Sequence, residues 1–171
     1  MKRNLLIIYF IALSSITLTA QTKKEKKAAA KEKGYAYTKT MIESGKYYFE
    51  AKIATTSKGE RIDISSDSNN LIINKDNANI NLPYFGVTQS PISGASSNTG
   101  IIFDGKIKDY TVTYNDKKRK TNIRFIANGH TGNFKISIVV KTTGISYLTV
   151  NSTGRNTISY TGITNPINVA K

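Results

Sequence analysis

The stretch 123-IRFIANGHTGNFKISIVV-140 decides the fold, because apolar and polar residues alternate on both sides of a turn-forming segment. Alternation with a period of two indicates strands that bury one face, and an Asn-Gly pair is a strong hairpin signal. The sequence therefore predicts an antiparallel hairpin with its turn at Asn128 and Gly129. The residues predicted to share its buried face are Ile123, Phe125, Phe134, Ile136, Ile138 and Val140.

The same pattern extends outward over residues 46–171, where turn residues separate about nine or ten short strands. Pro83 is expected to end one of them, because proline cannot donate to a strand ladder. A meander of this kind has to hide its edges. We therefore predict an all-β fold with an N-terminal helix, in which an antiparallel meander closes into a small lipocalin-like barrel; a β-sandwich is the alternative. The apolar positions assigned to the other strands are Tyr47, Phe49, Ala51, Ile53, Ile62, Ile64, Leu71, Ile72, Ile73, Ala78, Ile80, Leu82, Ile101, Ile102, Phe103, Tyr110, Val112, Tyr114, Tyr147, Leu148, Val150, Ile158 and Tyr160.

Residues 21–45 are predicted to form a lysine-rich helix or arm in front of the β domain. Strong helix formers fill residues 23–33, and Gly34 is expected to interrupt the helix. Tyr37, Met41 and Ile42 follow at helical spacing and should dock on the domain. Ser44 and Gly45 form a plausible stop.

Residues 1–20 have the order of an export signal peptide. Lys2 and Arg3 precede an apolar run over residues 5–13, and small and polar residues lead to Ala20. The run is shorter than the roughly 20 apolar residues of a membrane-spanning helix. We therefore expect cleavage after Ala20 and a mature chain without a transmembrane segment, periplasmic or secreted. The chain has no cysteine to carry a lipid anchor, so we do not expect a lipoprotein.

The composition restricts the chemistry that this chain can perform. Without cysteine it cannot use thiolate catalysis, zinc–cysteine sites or iron–sulfur clusters. The formal net charge is +14, and residues 23–33 alone contain six lysines and two glutamates. A basic protein in the envelope is attracted to anionic surfaces, whereas export removes nucleic acid as the partner. Simple solubility is the other explanation of the positive charge.

The sequence contains only weak signals for catalytic or metal-binding residues. His130 falls in a segment typical of an exposed hairpin tip, where no third group would hold it as a base. Asp63, Ser65, Asp67 and Asn69 have the alternate spacing of some calcium loops, but local turn formation explains them equally. No nucleophile elbow or phosphate-binding loop is present. We therefore predict no catalytic residues, no metal site and no cofactor.

Two segments remain as candidate interaction sites. The basic run of residues 117–120 follows a predicted strand and is either a solvated hairpin tip or an anion-docking patch. The segment of Leu82, Pro83, Tyr84, Phe85 and Gly86 combines a strand stop, two aromatic rings and a flexible residue. Its structural interpretation is a corner that covers the core. In the functional interpretation, Tyr84 and Phe85 form the wall of a ligand-binding mouth.

The segment of residues 82–86 also carries a family resemblance, together with residues 47–51, 63–69, 100–105 and 158–162. In this order they resemble a family of exported Bacteroidota proteins known only as domain of unknown function 4251, over roughly residues 35–163. The resemblance implies a signal peptide and a small β-rich domain similar to lipocalin-type barrels. It implies no activity, cofactor or catalytic residue.

These observations leave three hypotheses for the function. The first is a non-enzymatic barrel that binds a small apolar or amphipathic ligand, or an envelope partner. The second is a basic protein that docks on anionic envelope components. The third is a hydrolase whose two carboxylates are distant in the chain, for which the sequence offers no visible site.

Overall fold

The computed structural model describes residues 2–86, 100–129 and 132–167, and the side chains of helix α1 from residue 22 onward. One helix and ten strands occupy these residues. Their bounds are α1 (Lys2–Glu43), β1 (Lys46–Thr55), β2 (Arg61–Asp63), β3 (Asn70–Asn74), β4 (Asn77–Leu82), β5 (Ile101–Lys106), β6 (Lys108–Asn115), β7 (Lys120–Gly129), β8 (Gly132–Lys141), β9 (Ile145–Ser152) and β10 (Arg155–Pro166).

The strands form one antiparallel sheet in which β1 and β10, the first and last along the chain, are neighbours. Tyr47 is paired with Pro166, and Thr55 with Ser159. From this pair the sheet continues through β3, β4 and β5 on one side and through β9, β8, β7 and β6 on the other. Short β2 pairs with β1 off this path. The sheet curls into a nearly closed barrel, which confirms the predicted fold over the sandwich alternative.

Strands β5 and β6 bring the two edges of the sheet together. β5 pairs with β4, and β6 pairs with β7; in both cases the partners are antiparallel. Because every neighbouring pair on the path from β5 to β6 is antiparallel, these two strands run in the same direction, and only Ile107 separates them. They therefore act as two halves of one bent strand, with Asp109 at a positive φ of 53° near the bend. This strand carries the sheet from β4 to β7.

The register distinguishes two ends of the barrel. The helix end holds the start of β1, the β6–β7 turn (residues 116–119) and the β8–β9 turn (residues 142–144), together with the C-terminal half of α1. The loop end holds the exit of β4 at Pro83 and the β9–β10 turn (residues 153–154).

In most strands, the side chains at the predicted apolar positions point into the barrel and fill its interior. β4 and β8 follow it throughout, with Ala78, Ile80 and Leu82 buried in one and every second residue from Phe134 buried in the other. In β1 the prediction is wrong at its end, where Ala54 rather than Ile53 is buried. The pairing with β10 shifts between Ala51 and Ile53, and such a bulge reverses which residues face inward.

Helix α1 is continuous through Gly34, so the predicted interruption there is wrong. Gly34 lies against the β8–β9 turn, where a Cβ would come within 2.6 Å of the Thr142 carbonyl oxygen. The helix ends as predicted: Gly45 has φ of 65°, and its N–H donates to the Ile42 carbonyl. No helix among the described residues is long and apolar enough to cross a membrane.

The face of α1 that docks on the barrel differs from the predicted one. Tyr35, Thr38, Met41 and Ile42 are buried, whereas Tyr37 is 61% exposed. At 100° per residue, Tyr37 lies on the far side of the helix from Tyr35 and Ile42. The prediction missed this phase because a buried threonine at position 38 does not register as apolar.

Replacing Gly162 by alanine should destabilise the barrel, because a Cβ there would overlap the carbonyl group of Glu50 on β1. Backbone on a paired strand cannot move aside easily, so we expect a loss of about 1–3 kcal/mol, measured by urea unfolding. The neighbouring Thr161→Ala is the control and should cost less than about 1 kcal/mol. Equal stabilities of the two variants would contradict the close contact between β1 and β10.

Candidate functional site

The aromatic segment of residues 82–86 covers the loop end of the barrel. The Pro83 carbonyl accepts a hydrogen bond of 2.6 Å from the Tyr160 hydroxyl, and the Tyr84 hydroxyl donates to the Asn156 carbonyl at 3.1 Å. The Tyr84 ring, 4% exposed, lies 5.2 Å from the Arg155 guanidinium. Phe85 packs against the core but stays partly exposed. The contacts of Tyr84 thus hold the segment to β10, and a ligand role remains a prediction that falls mainly on Phe85.

The barrel interior around the described residues is filled by its own side chains. Its largest members have less than 2% of their surface accessible. A cavity large enough for water would expose the surface of the side chains around it, so no such cavity borders these side chains. They are Tyr47, Tyr160, Phe49, Phe134, Leu71, Ile73, Ile80, Leu82, Ile101, Ile123, Ile138 and Leu148.

The residues considered for metal binding form a local turn. The Asp63 carboxylate accepts hydrogen bonds from the hydroxyl and, to lesser effect, the backbone N–H of Ser65, which lower the pKa of Asp63. The buried Asn69 amide donates to the Ile64 carbonyl. No group of three or more His, Cys, Asp or Glu side chains suited to a metal ion occurs among the described residues. His130 lies outside those residues.

Residues 117–119 of the basic run lie in the β6–β7 turn at the helix end, and Lys120 begins β7. The turn is closed by hydrogen bonds from the Arg119 N–H to the Asp116 carbonyl and from the Lys118 N–H to the Asn115 side chain. Arg119 has a positive φ of 47°. Lys118, Arg119 and Lys120 line a small pocket, while Lys117 does not.

Asp116 at the start of this turn fastens helix α1 to the barrel. One oxygen of its carboxylate accepts a hydrogen bond from the Tyr35 hydroxyl at 3.0 Å and one from the Lys39 ammonium at 2.7 Å. The Lys39 ammonium also lies 4.8 Å and 5.0 Å from the ring centres of Tyr35 and Tyr114. The hydrogen bond from Lys39, followed by that from Tyr35, lowers the pKa of Asp116.

The rotation of α1 about its axis, fixed by its contacts with the barrel, brings the lysine-rich half of the helix to the same turn. Lys31 precedes Tyr35 by four residues and therefore shares its face. Glu32 accepts a hydrogen bond of 2.7 Å from Nε of Arg119, which is a second link between the helix and the turn. Lys31 thereby lines the pocket together with the turn residues.

Lys141 at the end of β8 and Thr142 in the β8–β9 turn supply the remaining wall. The Lys141 ammonium donates to the Tyr147 hydroxyl at 3.1 Å and lies 4.6 Å from the centre of the Tyr147 ring. These contacts orient the lysine side chain without neutralising its charge. Thr142 also forms the close contact with Gly34, so the same residue positions the helix and lines the pocket.

The resulting basic pocket has a volume of about 200 Å³, and five of its six lining residues are cations. They are Lys31, Lys118, Arg119, Lys120 and Lys141. Within the described part of the chain, Arg119 is the one cation of the five with a carboxylate partner within 4.0 Å. The arrangement leaves several positive charges uncompensated in a small space, so it can bind an anion.

A second concave region lies on the outer face of β7, β8 and β9. Its two adjoining parts have volumes of about 470 and 400 Å³ and share Ile126, Lys135 and Asn151. Asparagine and hydroxyl side chains dominate one part, and Asp109, Arg124 and Lys135 carry opposite charges in the other. This groove has no single chemical character and defines no ligand class.

The sequence indicates two of the pocket's three parts, the lysine-rich segment and the basic run, but it does not indicate that they lie together. The lysine-rich segment and the basic run were both recognised, and an anion-docking patch was one interpretation of the run. Lys141 was missed, because a lysine at the end of a strand is ordinary in sequence. The distance of four residues from Lys31 to buried Tyr35 was the available signal, but the predicted helix face had the wrong phase.

Comparison with known proteins gives a family and a fold. A family model described as a domain of unknown function (DUF4251) matches residues 29–164. A crystal structure of a DUF4251 family protein from Bacteroides eggerthii DSM 20697, at 1.95 Å resolution, is similar with a TM-score of 0.64 and 19% identity. The similarity covers 83% of this chain and 93% of that one. No curated protein matches significantly.

Asp116→Asn should weaken the docking of α1 at neutral pH, because an amide has no negative charge to attract the Lys39 ammonium. The pKa of Asp116 is lowered below 3.8 in the folded state, so its contribution is present above that value and is lost as the pH falls through the folded pKa. The rate of amide hydrogen exchange over residues 35–43 measures how firmly the helix is docked.

The expected result is faster exchange in Asp116→Asn than in the wild type at pH 7, and convergence of the two proteins in acid. Asp104→Asn, on an exposed residue of β5, is the matched control and should leave exchange in α1 unchanged. Identical exchange of the Asp116 variant and the wild type at pH 7 would show that this contact does not hold the helix.

Proposed function

From the premise that this chain belongs to the DUF4251 family, we propose that it is an exported barrel protein that docks through its helix end on the anionic surface of the cell envelope. The observation that carries the proposal is the meeting of α1, the β6–β7 turn and β8 in one basic pocket. The family description itself names no function.

The charge around the pocket supports docking by this end. Basic side chains at the helix end outnumber acidic ones, and some of the acidic groups already hold the helix in place. The basic residues there are Lys31, Lys39, Lys46, Lys75, Lys117, Lys118, Arg119, Lys120 and Lys141; the acidic ones are Glu32, Glu43, Asp76 and Asp116.

The exposed half of α1 extends the basic surface beyond the barrel. Lys24, Lys27 and Lys31 recur at intervals of three and four residues and so share one face of the helix. This face is continuous with the one that docks through Tyr35. At 1.5 Å per residue, the row from Lys24 to Lys31 is about 10 Å long.

The physical basis is the attraction of clustered lysines to anionic headgroups. Each basic residue near such a membrane contributes about 1 kcal/mol, and salt screens the attraction within about 10 Å at 0.1 M. The export signal of residues 1–20 is part of the proposal, because it would bring the protein to such a surface. Cleavage after Ala20 would leave the lysine row in the mature chain.

A second candidate is the binding of a small apolar or amphipathic ligand at the loop end. It is favoured by the partly exposed Phe85 ring, which rests on the core next to buried Tyr84. Mass spectrometry of an organic extract of the protein, purified gently from its native envelope, tests this candidate. A stoichiometric lipid that is lost in Phe85→Ser would support it, and an empty extract would contradict it.

Docking predicts that Lys118→Ala/Lys120→Ala binds anionic vesicles about 30-fold more weakly than the wild type at low salt, from about 1 kcal/mol per lysine. Cosedimentation with vesicles of phosphatidylglycerol and phosphatidylcholine measures the affinity. Wild-type binding should also weaken steeply between 50 and 300 mM salt, two concentrations chosen to span about 14 and 6 Å of screening length.

The matched control is Lys58→Ala/Arg61→Ala, which removes the same charge from the opposite end of the barrel. It should change vesicle affinity about threefold or less, because diffuse attraction falls off within a Debye length. Equal losses in the two double variants, or binding that is indifferent to salt, would contradict docking by the helix end.

A further inference from the structure

We infer that the basic pocket is a specific site for the phosphate monoester of an envelope lipid headgroup. The inference rests on the proposed docking function and adds a chemical preference to it. Diffuse attraction requires only positive charge near the surface. The pocket adds cationic donors from three separate elements: Lys31 from α1, Arg119 from the β6–β7 turn and Lys141 from β8.

Arg119 is positioned as an anion-binding fork. Its Nε–H is taken by Glu32, which fixes the plane of the guanidinium group. A guanidinium has five N–H donors, so the four N–H groups of its terminal nitrogens remain for a ligand. Those nitrogens have no partner among the described residues. The two terminal nitrogens can donate two parallel hydrogen bonds to two oxygens of one phosphate group.

Lys141 supplies a second directed donor. Its ammonium group is held by the Tyr147 hydroxyl and ring, and a lysine ammonium has three N–H donors. Lys31, Lys118 and Lys120 complete the wall, and none of the three has a carboxylate within 4.0 Å in the described part of the chain. A carboxylate or a phosphodiester carries one negative charge. Either group would therefore balance only part of the positive charge of the pocket.

A phosphate monoester matches this wall in charge, acceptors and size. It carries about −1.5 to −2 charges at pH 7 and has three strong acceptor oxygens. The pocket volume of about 200 Å³ is below the range of pockets that enclose drug-sized ligands, which is roughly 300–1,000 Å³. The pocket therefore suits one charged group whose lipid remains in the membrane.

The test compares vesicles of phosphatidic acid, a monoester, with vesicles of phosphatidylglycerol, a diester, adjusted to the same surface potential. We expect the wild-type protein to bind the monoester vesicles about tenfold or more tightly, the gain from added charge-assisted hydrogen bonds. Arg119→Lys keeps the charge but loses the fork, so it should bind both vesicles within about twofold of each other.

Lys117→Gln is the matched control, because it removes a charge from the same turn without touching the pocket. It should retain the monoester preference. Equal binding of both vesicles by the wild type would overturn this inference while leaving docking intact, and no binding to either would overturn both. Inorganic phosphate that competes at micromolar concentration would identify soluble phosphate as the ligand and overturn the assignment to a lipid.

Discussion

The pairing of β1 with β10 is the constraint on which the rest of the structure depends. It joins the first and last strands, so the meander curls into a barrel instead of remaining an open sheet. It also fixes the position of α1, because the helix ends three residues before β1 begins. The helix packs against the end of the barrel that holds the β6–β7 and β8–β9 turns. The basic pocket is a consequence of this topology.

At that end the anchoring contacts and the binding surface are made by neighbouring residues. Asp116 holds the helix through Tyr35 and Lys39, and residues 118–120, which follow it closely in the chain, line the pocket. Gly34 lets the helix approach Thr142, which brings Lys31 to the pocket one turn earlier in the helix. The loop end is different in character, because Tyr84 and Tyr160 close it with hydrogen bonds to backbone carbonyls. The polar contacts of the helix end involve charged groups, which gives the two ends of the barrel different chemistry.

Much of the fold could be predicted from sequence because strands with one buried face alternate visibly. Phe134 to Val140 is the clearest case, and Pro83 marks the end of β4 as expected. The bulge in β1 could not be predicted, since it follows from the match between two distant strands. The docked face of α1 was missed because buried Thr38 replaces an apolar residue and exposed Tyr37 resembles one. The pocket could not be assembled from sequence either, because its three parts are more than 80 residues apart at the extremes.

The most direct measurement is NMR of the protein bound to anionic lipid nanodiscs that carry a paramagnetic label on a headgroup. Amide signals near the membrane broaden, so the spectrum reports which end of the barrel faces the lipid. Docking by the helix end predicts broadening at Lys31, in residues 116–120 and in residues 141–144, with sharp signals around Gly59 and Gly154. Broadening confined to the loop end near Phe85, or spread evenly over the barrel, would contradict docking by the helix end.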